Sequence, residues 1–186
     1  MNNYLKIALR LTIICSSAVL LLGIVNALTE KKIKSNQMAV ESAANKFLMP
    51  GCTFSEKKLF DGLDESQLYY YEAKLKKQLA GYIVSTTGNG YGGEMKILVA
   101  TDKNFKVLNM KLLSNSETPG IGSKAKDDAY MKKFIGTNTN SKPFPKAKHM
   151  LSPDDAEAIS GATITFNGIT EAVDRALKIM KENLKG

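Results

Sequence analysis

Ser160-Gly161-Ala162-Thr163 lies within the run Glu157-Ala-Ile-Ser-Gly-Ala-Thr-Ile-Thr165, just ahead of a strongly periodic C-terminal segment. A hydroxyl beside residues as small as Gly161 and Ala162 is open to a bulky approaching group. A helix that begins after it offers unpaired backbone N–H groups and the positive end of its dipole, a combination suited to a phosphate. The same residues also make an ordinary Ser/Thr helix entry with nothing bound. Other segments must decide between the two.

Two glycine-rich segments bear on that choice. Asn89-Gly-Tyr-Gly-Gly93 stands immediately before a strand-like stretch, and Ser116-Glu-Thr-Pro-Gly-Ile-Gly122 lies between strand-like and helix-like sequence. Glycine there permits positive φ and close backbone approach to a flat ligand, while Pro119 fixes the turn. Each segment alone reads as a turn.

Taken in order, GYGG before a strand, SETPGIG, and SGAT before the final helix, all behind one N-terminal apolar stretch, resemble the G subunit of the Rnf electron-transport complex. The resemblance runs over nearly all 186 residues. The related C subunit of the sodium-pumping NADH:quinone oxidoreductase shares the ETPG and SGAT elements but is usually longer, and ranks second. The resemblance implies FMN joined through its phosphate to Thr163 by a separate flavin transferase. Ser160, Gly161 and Ala162 are then recognised by the transferase and line the phosphate end, and Glu117, Thr118, Gly120 and Gly122 lie near the flavin. It further implies a single-pass protein of the cell membrane whose domain faces away from the cytoplasm among the other subunits of an ion-translocating ferredoxin–NAD oxidoreductase. The family usually carries aspartate three residues before the serine, and this chain has Glu157 there, with Asp154 and Asp155 nearby.

The chemistry available in the chain agrees with a carrier. It is read as lacking a dinucleotide-binding G-x-G-x-x-G, a catalytic triad and iron–sulfur cysteines, so no residue is assigned as catalytic or metal-binding and the redox work falls to the cofactor. A covalent link also retains FMN where the free cofactor is scarce. Two other readings stand: a membrane-tethered extracytoplasmic binding module without a redox cofactor, and a free-standing extracytoplasmic flavin reductase component.

Of the elements that must position these residues, the first is an anchor. Leu11 to Leu28 is uncharged, and 18 residues at 1.5 Å each span about 27 Å, just enough for a bilayer core of about 30 Å. A cleaved signal peptide competes, since Val25-Asn26-Ala27 passes as a small-residue cleavage site. Lys6 and Arg10 precede the span and Lys31, Lys32 and Lys34 follow it, a balance too even to orient a long domain. The net charge of +8 comes mainly from scattered lysines, with Arg175 the one arginine beyond the span. Nucleic-acid binding is therefore excluded, and an anionic lipid surface or an acidic redox partner suits the charge. Cys15, in the span, cannot pair with Cys52, and His149 reads as a surface residue after the loop Pro143-Phe-Pro145.

The domain boundaries expected are a tail over 1–10, a transmembrane helix over 11–28, a connecting helix over 29–50 and an FMN-binding domain over 51–186. The connecting helix would use Ile33, Met38, Ala39, Phe47 and Leu48 as its apolar face. Strands are expected at Gln67–Leu75, Ala80–Thr87, Glu94–Thr101 and Lys106–Ser114, the last two joined by the turn Asp102-Lys-Asn-Phe105. Tyr69-Tyr70-Tyr71 read as strand residues in preference to a flavin-stacking platform. A helix is expected from Ser123, as N-cap, to Phe134. The last helix is expected to be capped by Asn167, with Ile169, Val173, Ala176, Leu177, Met180 and Leu184 at helical spacing. The fold class is α+β: a membrane helix, then a mostly antiparallel sheet with flanking helices.

Overall fold

Between residues 53 and 114 aromatic and β-branched side chains alternate with short polar turns, and this stretch forms one antiparallel sheet. The computed structural model describes residues 3–64, 67–114, 125, 127–159 and 162–184. Strands β1 (Thr53–Phe54) and β2 (Lys58–Leu59) both pair with β3 (Leu68–Leu75). From β3 the chain meanders through β4 (Gln78–Asn89), β5 (Glu94–Asp102) and β6 (Val107–Ser114). Each of the four expected strands is present, with ends displaced by at most two residues. With its flanking helices the fold is α+β, as expected.

Strand β5 explains why the sheet needs cover on both sides. Ile97, Leu98, Val99 and Ala100 are all fully buried, so consecutive apolar residues face opposite ways and both are shielded. Ile97 and Val99 join the larger core, while Leu98 and Ala100 join a smaller one with Ala73, Ile83, Ala44, Leu48 and Met49. The adjacent apolar pairs of β6 come from two bulges: at one, Lys96 pairs with Ser114 and Ile97 with Leu112, leaving Leu113 extra. At the other, Ala100 pairs with Asn109 and Thr101 with Val107, which leaves Leu108 as the extra residue. Val107 and Met110 therefore both point into the core while Leu108 is exposed. The β5–β6 turn is held as expected: Asp102 Oδ1 accepts from the backbone N–H of Asn104 at 2.8 Å and of Lys106 at 2.9 Å.

The larger core lies between the sheet and helix α4 (Thr163–Asn183). Ile169, Val173, Ala176, Leu177 and Met180 are buried on it as their spacing predicts, together with Phe166, and Leu184 packs at its margin. Asn167 does not cap this helix. The helix starts at Thr163, four residues before Asn167, with Ala162 as the cap and, among the described residues, no side chain bonded to its first turn. Helix α2 is a single turn (Asp128–Met131) running into a 3-10 turn (Lys132–Phe134); the expected cap, Ser123, lies outside the described residues. Helix α3 (Pro153–Ala158) is an addition to the expected elements, although its signal is local. Ser152 accepts from the Asp155 N–H at 3.3 Å and Pro153 occupies the first helical position.

At the N-terminus one helix, α1, runs from Asn3 to Leu48, and it is long and apolar enough to cross a membrane. Its side chains from Tyr4 to Val40 are exposed. The chain divides into two compact units, residues 1–41 and 42–186. Within the second, the helix end buries Ala44 and Leu48 against the sheet. The expected apolar face is thus corrected: of its members Leu48 is buried, whereas Ile33, Met38 and Phe47 are exposed. Lys111 Nζ lies 4.2 Å from the centre of the Phe47 ring, which suits an aromatic left partly in water.

Two glycines let α4 touch the sheet backbone. A Cβ on Gly88 of β4 would lie 2.5 Å from the carbonyl oxygen of Gly168 and 2.9 Å from Ala172 Cβ. A Cβ on Gly168 would sit on the carbonyl oxygen of Asn89. Since those opposing carbonyls belong to the backbone, neither can swing aside. Gly168→Ala should therefore cost at least the ~1–3 kcal/mol typical of overpacking, read as a melting temperature lower by roughly 4–10 °C. A shift within about 1 °C would mean that helix and strand separate easily.

Candidate functional site

Thr163 is the first helical residue of α4 and its side chain is exposed, while its neighbours Ala162, Thr165 and Phe166 are buried. The Ala162 N–H donates to Ile159 O at 2.9 Å and its carbonyl accepts from Phe166 N–H at 2.9 Å. The backbone around Thr163 is thus held from both sides while its side chain remains accessible. Among the described residues no side-chain oxygen serves the first turn of this 21-residue helix. Its leading N–H groups and dipole are the feature a phosphate oxygen would complete. The residues present therefore fit an FMN phosphate carried at Thr163.

The first turn is anchored from below. Phe166 stacks on Phe134 with centroids 5.9 Å apart and planes 17° apart, and Phe134 stacks in turn on Phe144 at 5.5 Å. Farther along, Arg175 Nη2 donates to Thr87 O at 3.0 Å, and Thr86 Oγ1 donates to Ala172 O at 3.4 Å. Contacts along β4 therefore pass from Ala172 at Thr86 to Gly168 at Gly88 and Asn89. As β4 runs toward its hairpin, the contact point moves toward the N-terminus of α4.

That direction carries the glycine-rich tip at residues 90–93 toward the helix end bearing Thr163. The tip is closed by Gly90 N–H donating to Gly93 O at 2.8 Å, Gly93 has φ 131°, and Tyr91 is 75% exposed. A polar cavity of about 550 Å³ runs beside this crossing, past Asn89, Glu94, Gly168, Glu171 and Arg175. Gly88-Asn-Gly90-Tyr-Gly-Gly93 does have the spacing G-x-G-x-x-G, which corrects the expectation that the chain lacks one. Here it joins two antiparallel strands. A dinucleotide fingerprint needs a strand followed by a helix, so this run is a hairpin and not that motif.

The other expected site residues divide plainly. Ala162 is buried at the start of α4, and Glu157 is exposed in the last turn of α3, where its carbonyl accepts from Ile159 N–H. Ser160, Gly161, Glu117, Thr118, Gly120 and Gly122 lie outside the described residues. The tyrosine triplet belongs to the sheet. Tyr69 is buried beneath Lys57 and Lys96, and Tyr70 packs on Phe60 at 4.7 Å. Gly88 and Gly168 are absent from the sequence-derived site, although a glycine inside a strand pattern and another inside a helical one both signal close approach.

Charge also ties α4 to the proline-rich loop. Asp174 is bridged by Lys146 at 3.1 Å and Lys178 at 2.9 Å. Burial pushes its carboxyl up, but hydrogen bonds from Lys178 and Lys146, with their charges, outweigh it and hold the group below the ordinary aspartate range.

Comparison with known proteins places this geometry. Residues 90–178 match the FMN-binding domain family. The chain is 26% identical over 177 residues to the G subunit of the proton-translocating ferredoxin:NAD(+) oxidoreductase complex of Clostridium ljungdahlii, covering 95% of this chain and 91% of the relative. It is 32% identical over 111 residues to the G subunit of the ion-translocating oxidoreductase complex of Buchnera aphidicola subsp. Acyrthosiphon pisum, covering 59% of this chain and 68% of the relative. The crystal structure of Shewanella oneidensis NqrC is similar at 20% identity and a TM-score of 0.47, over 70% of this chain and 65% of that one. The class defined is an α+β domain, matched over residues 90–178 by the FMN-binding domain family, preceded in sequence by a helix of membrane-crossing length. Within it, the chain belongs to the family of G subunits of ion-translocating oxidoreductase complexes.

The low carboxyl of Asp174 stabilises the fold above the unfolded aspartate value of about 3.9, and its contribution is lost as pH falls through the folded value. Because its lysine partners are more than half exposed, the contribution is only roughly 0.5–1 kcal/mol. Asp174→Asn is expected to lower the melting temperature at pH 7 by about 1–4 °C and to converge on wild type below about pH 4. A difference unchanged between pH 7 and about pH 3 would show that the ion pairs are not its source.

Proposed function

We propose that this chain is the membrane-anchored flavoprotein subunit of an ion-translocating ferredoxin:NAD oxidoreductase, carrying FMN through a phosphoester to Thr163. The carrying observation is the threonine itself, exposed at the first position of a 21-residue helix that no side chain among the described residues caps. Membership of the G-subunit family and the FMN-binding match support the same reading. A bound FMN supplies one- and two-electron chemistry that no side chain of this protein can.

The protein's part is positional. Thr163 Oγ1 would lose its hydrogen and bond to the flavin phosphorus as another P–O bond there breaks, its oxygen leaving with the departing group of the transferase's flavin donor, so the chain gains the mass of FMN less water. Ser160, Gly161 and Ala162 leave room for the flavin transferase and line the phosphate end, and the α4 N-terminus offsets the phosphate charge. Glu117, Thr118, Gly120 and Gly122 lie beside the flavin. Residues 1–10 form a short tail, 11–28 the membrane span and 29–50 the connecting helix, which leaves the domain 51–186 on the extracytoplasmic side. There the lysine-rich surface faces lipid headgroups and the neighbouring subunits of the complex.

The test co-expresses the full chain with a flavin transferase and compares wild type with Thr163→Val and Glu157→Asp by intact mass and in-gel flavin fluorescence after denaturation. A fluorescent wild-type band one FMN less water heavier, and a dark Thr163→Val band, are expected. The Glu157→Asp band should be at least as bright as wild type. A dark wild-type band at unmodified mass, with the transferase active on another substrate, would sink the covalent assignment and leave the binding-module reading.

A further inference from the structure

Among the described residues the non-glycine positions with positive φ are Lys76 (50°), Lys77 (69°), Phe105 (62°) and Asn138 (65°). The last two have a visible reason. Phe105 is 3% exposed and fills the larger core. The Asn138 amide donates to Phe105 O, and its oxygen accepts from Lys181 Nζ at 2.7 Å. Lys76 and Lys77 are exposed, so no core contact holds them there. Leu75 pairs with Gln78, which makes the two lysines the whole of the β3–β4 loop. Such a loop needs positive φ at both positions, which asparagine and glycine adopt at little cost and lysine does not. Backbone strain kept at an exposed turn points to the side chains it presents.

The surroundings strengthen their charge. Lys74 and Leu75 beside the loop are also exposed, Leu75 by 47%. The meander brings the β5–β6 turn, with Lys103 and Lys106 exposed on it, to the same end of the sheet. The carboxylates of Glu72 and Asp102 are already engaged. Glu72 is bridged by Lys58 at 2.5 Å and Lys74 at 3.6 Å, and Asp102 accepts from the backbone of its own turn. A leucine among lysines joins an apolar contact to a positive field, which an acidic face with one apolar side chain complements.

Of the anionic surfaces available, the bilayer suits this end less well. As the chain joins the sheet it passes from Ala44 and Leu48, packed with Ile83 and Leu98, to Gly51 beside Leu75 and Thr53 opposite Lys74. It thus advances toward the lysine turn, which is not the end by which the chain enters the domain. A protein face is the occupant this favours.

We propose that this end of the sheet docks an acidic segment of a neighbouring subunit, whose carboxylates meet Lys76 and Lys77 while an apolar side chain covers Leu75. The inference rests on the chain working inside a multi-subunit complex, and it holds with or without a flavin at Thr163.

The test places a photo-reactive benzophenone amino acid in place of Leu75 in the tagged full chain, in cells that make the whole complex. The peptide it captures is sequenced, and the subunits that co-purify are identified in the same sample. Capture of an acid-rich segment from one of those subunits is expected. Lys76→Asn/Lys77→Gly gives a second reading, because it installs the residues the turn prefers. The isolated double variant should melt roughly 2–6 °C higher than wild type. Within the complex it should lose its partner subunits about three- to tenfold faster at raised ionic strength. Lys76→Arg/Lys77→Arg, which keeps the charge, should hold them as wild type does. The proposal is overturned if the captured species is lipid or a second copy of this chain, or if nothing is captured while the partners co-purify. A double variant that keeps its partners as long as wild type, or that is no more stable, would overturn it as well. Should no subunit co-purify with wild type, the complex reading itself fails and takes this inference with it.

Discussion

The contact on which the rest of the domain depends is that of Gly88 with Gly168. Helix and strand meet there without side chains between them, Asn89 O lying against the position a Gly168 Cβ would take. With the backbones in direct contact, α4 has little freedom to slide along β4. Arg175 and Thr86 fasten the helix to the same strand farther on. Phe166 fixes its first turn through the aromatic stack with Phe134 and Phe144. The position of Thr163 follows from these three attachments, since it opens the helix they hold.

Such rigidity would suit the role proposed for Thr163, that of carrying a redox group. Electron transfer needs the cofactor in one place, and a flavin tethered by a single ester inherits whatever order its attachment point has. Thr163 combines an exposed side chain with buried neighbours at positions 162, 165 and 166. A modifying enzyme can therefore reach the oxygen without disturbing the core. The helix end adds fixed N–H groups and a favourable dipole, which need no rearrangement when a phosphate arrives. In the proposed role the protein contributes geometry and field while the flavin would contribute chemistry.

The sheet is legible in the sequence because its signal is local. Consecutive apolar residues at 97–100, a tight turn at Asp102 and strand-like stretches on either side determine pairing and burial with little help from elsewhere. The irregular pattern of β6 is ambiguous by itself because the bulge at Leu108 depends on how β5 pairs with it. The start of α4 is hidden for a similar reason. Asn167 is a good cap by type, yet Ala162 starts the helix, because burying Phe166 against Phe134 extends it by a turn. Helix α3 carries a readable Ser-Pro-Asp-Asp start, but its six residues are too few to show a period.

The resemblance to the G-subunit family, not spacing, carries the phosphate attachment proposed at Thr163; by itself the sequence determined the fold class: an apolar segment of membrane length, a meander of strands and a periodic final helix. These are properties of composition and spacing, which neighbouring residues settle among themselves. Only the tertiary structure decided that the glycine-rich hairpin and the threonine-bearing helix end lie toward one another, because that depends on Gly88 and Gly168, far apart in the chain, meeting at one crossing. It likewise decided that the Lys133 ammonium lies 3.5 Å from the centre of the buried Tyr130 ring. Neither residue announces this in the sequence, since burial is a property of what the rest of the chain packs around them.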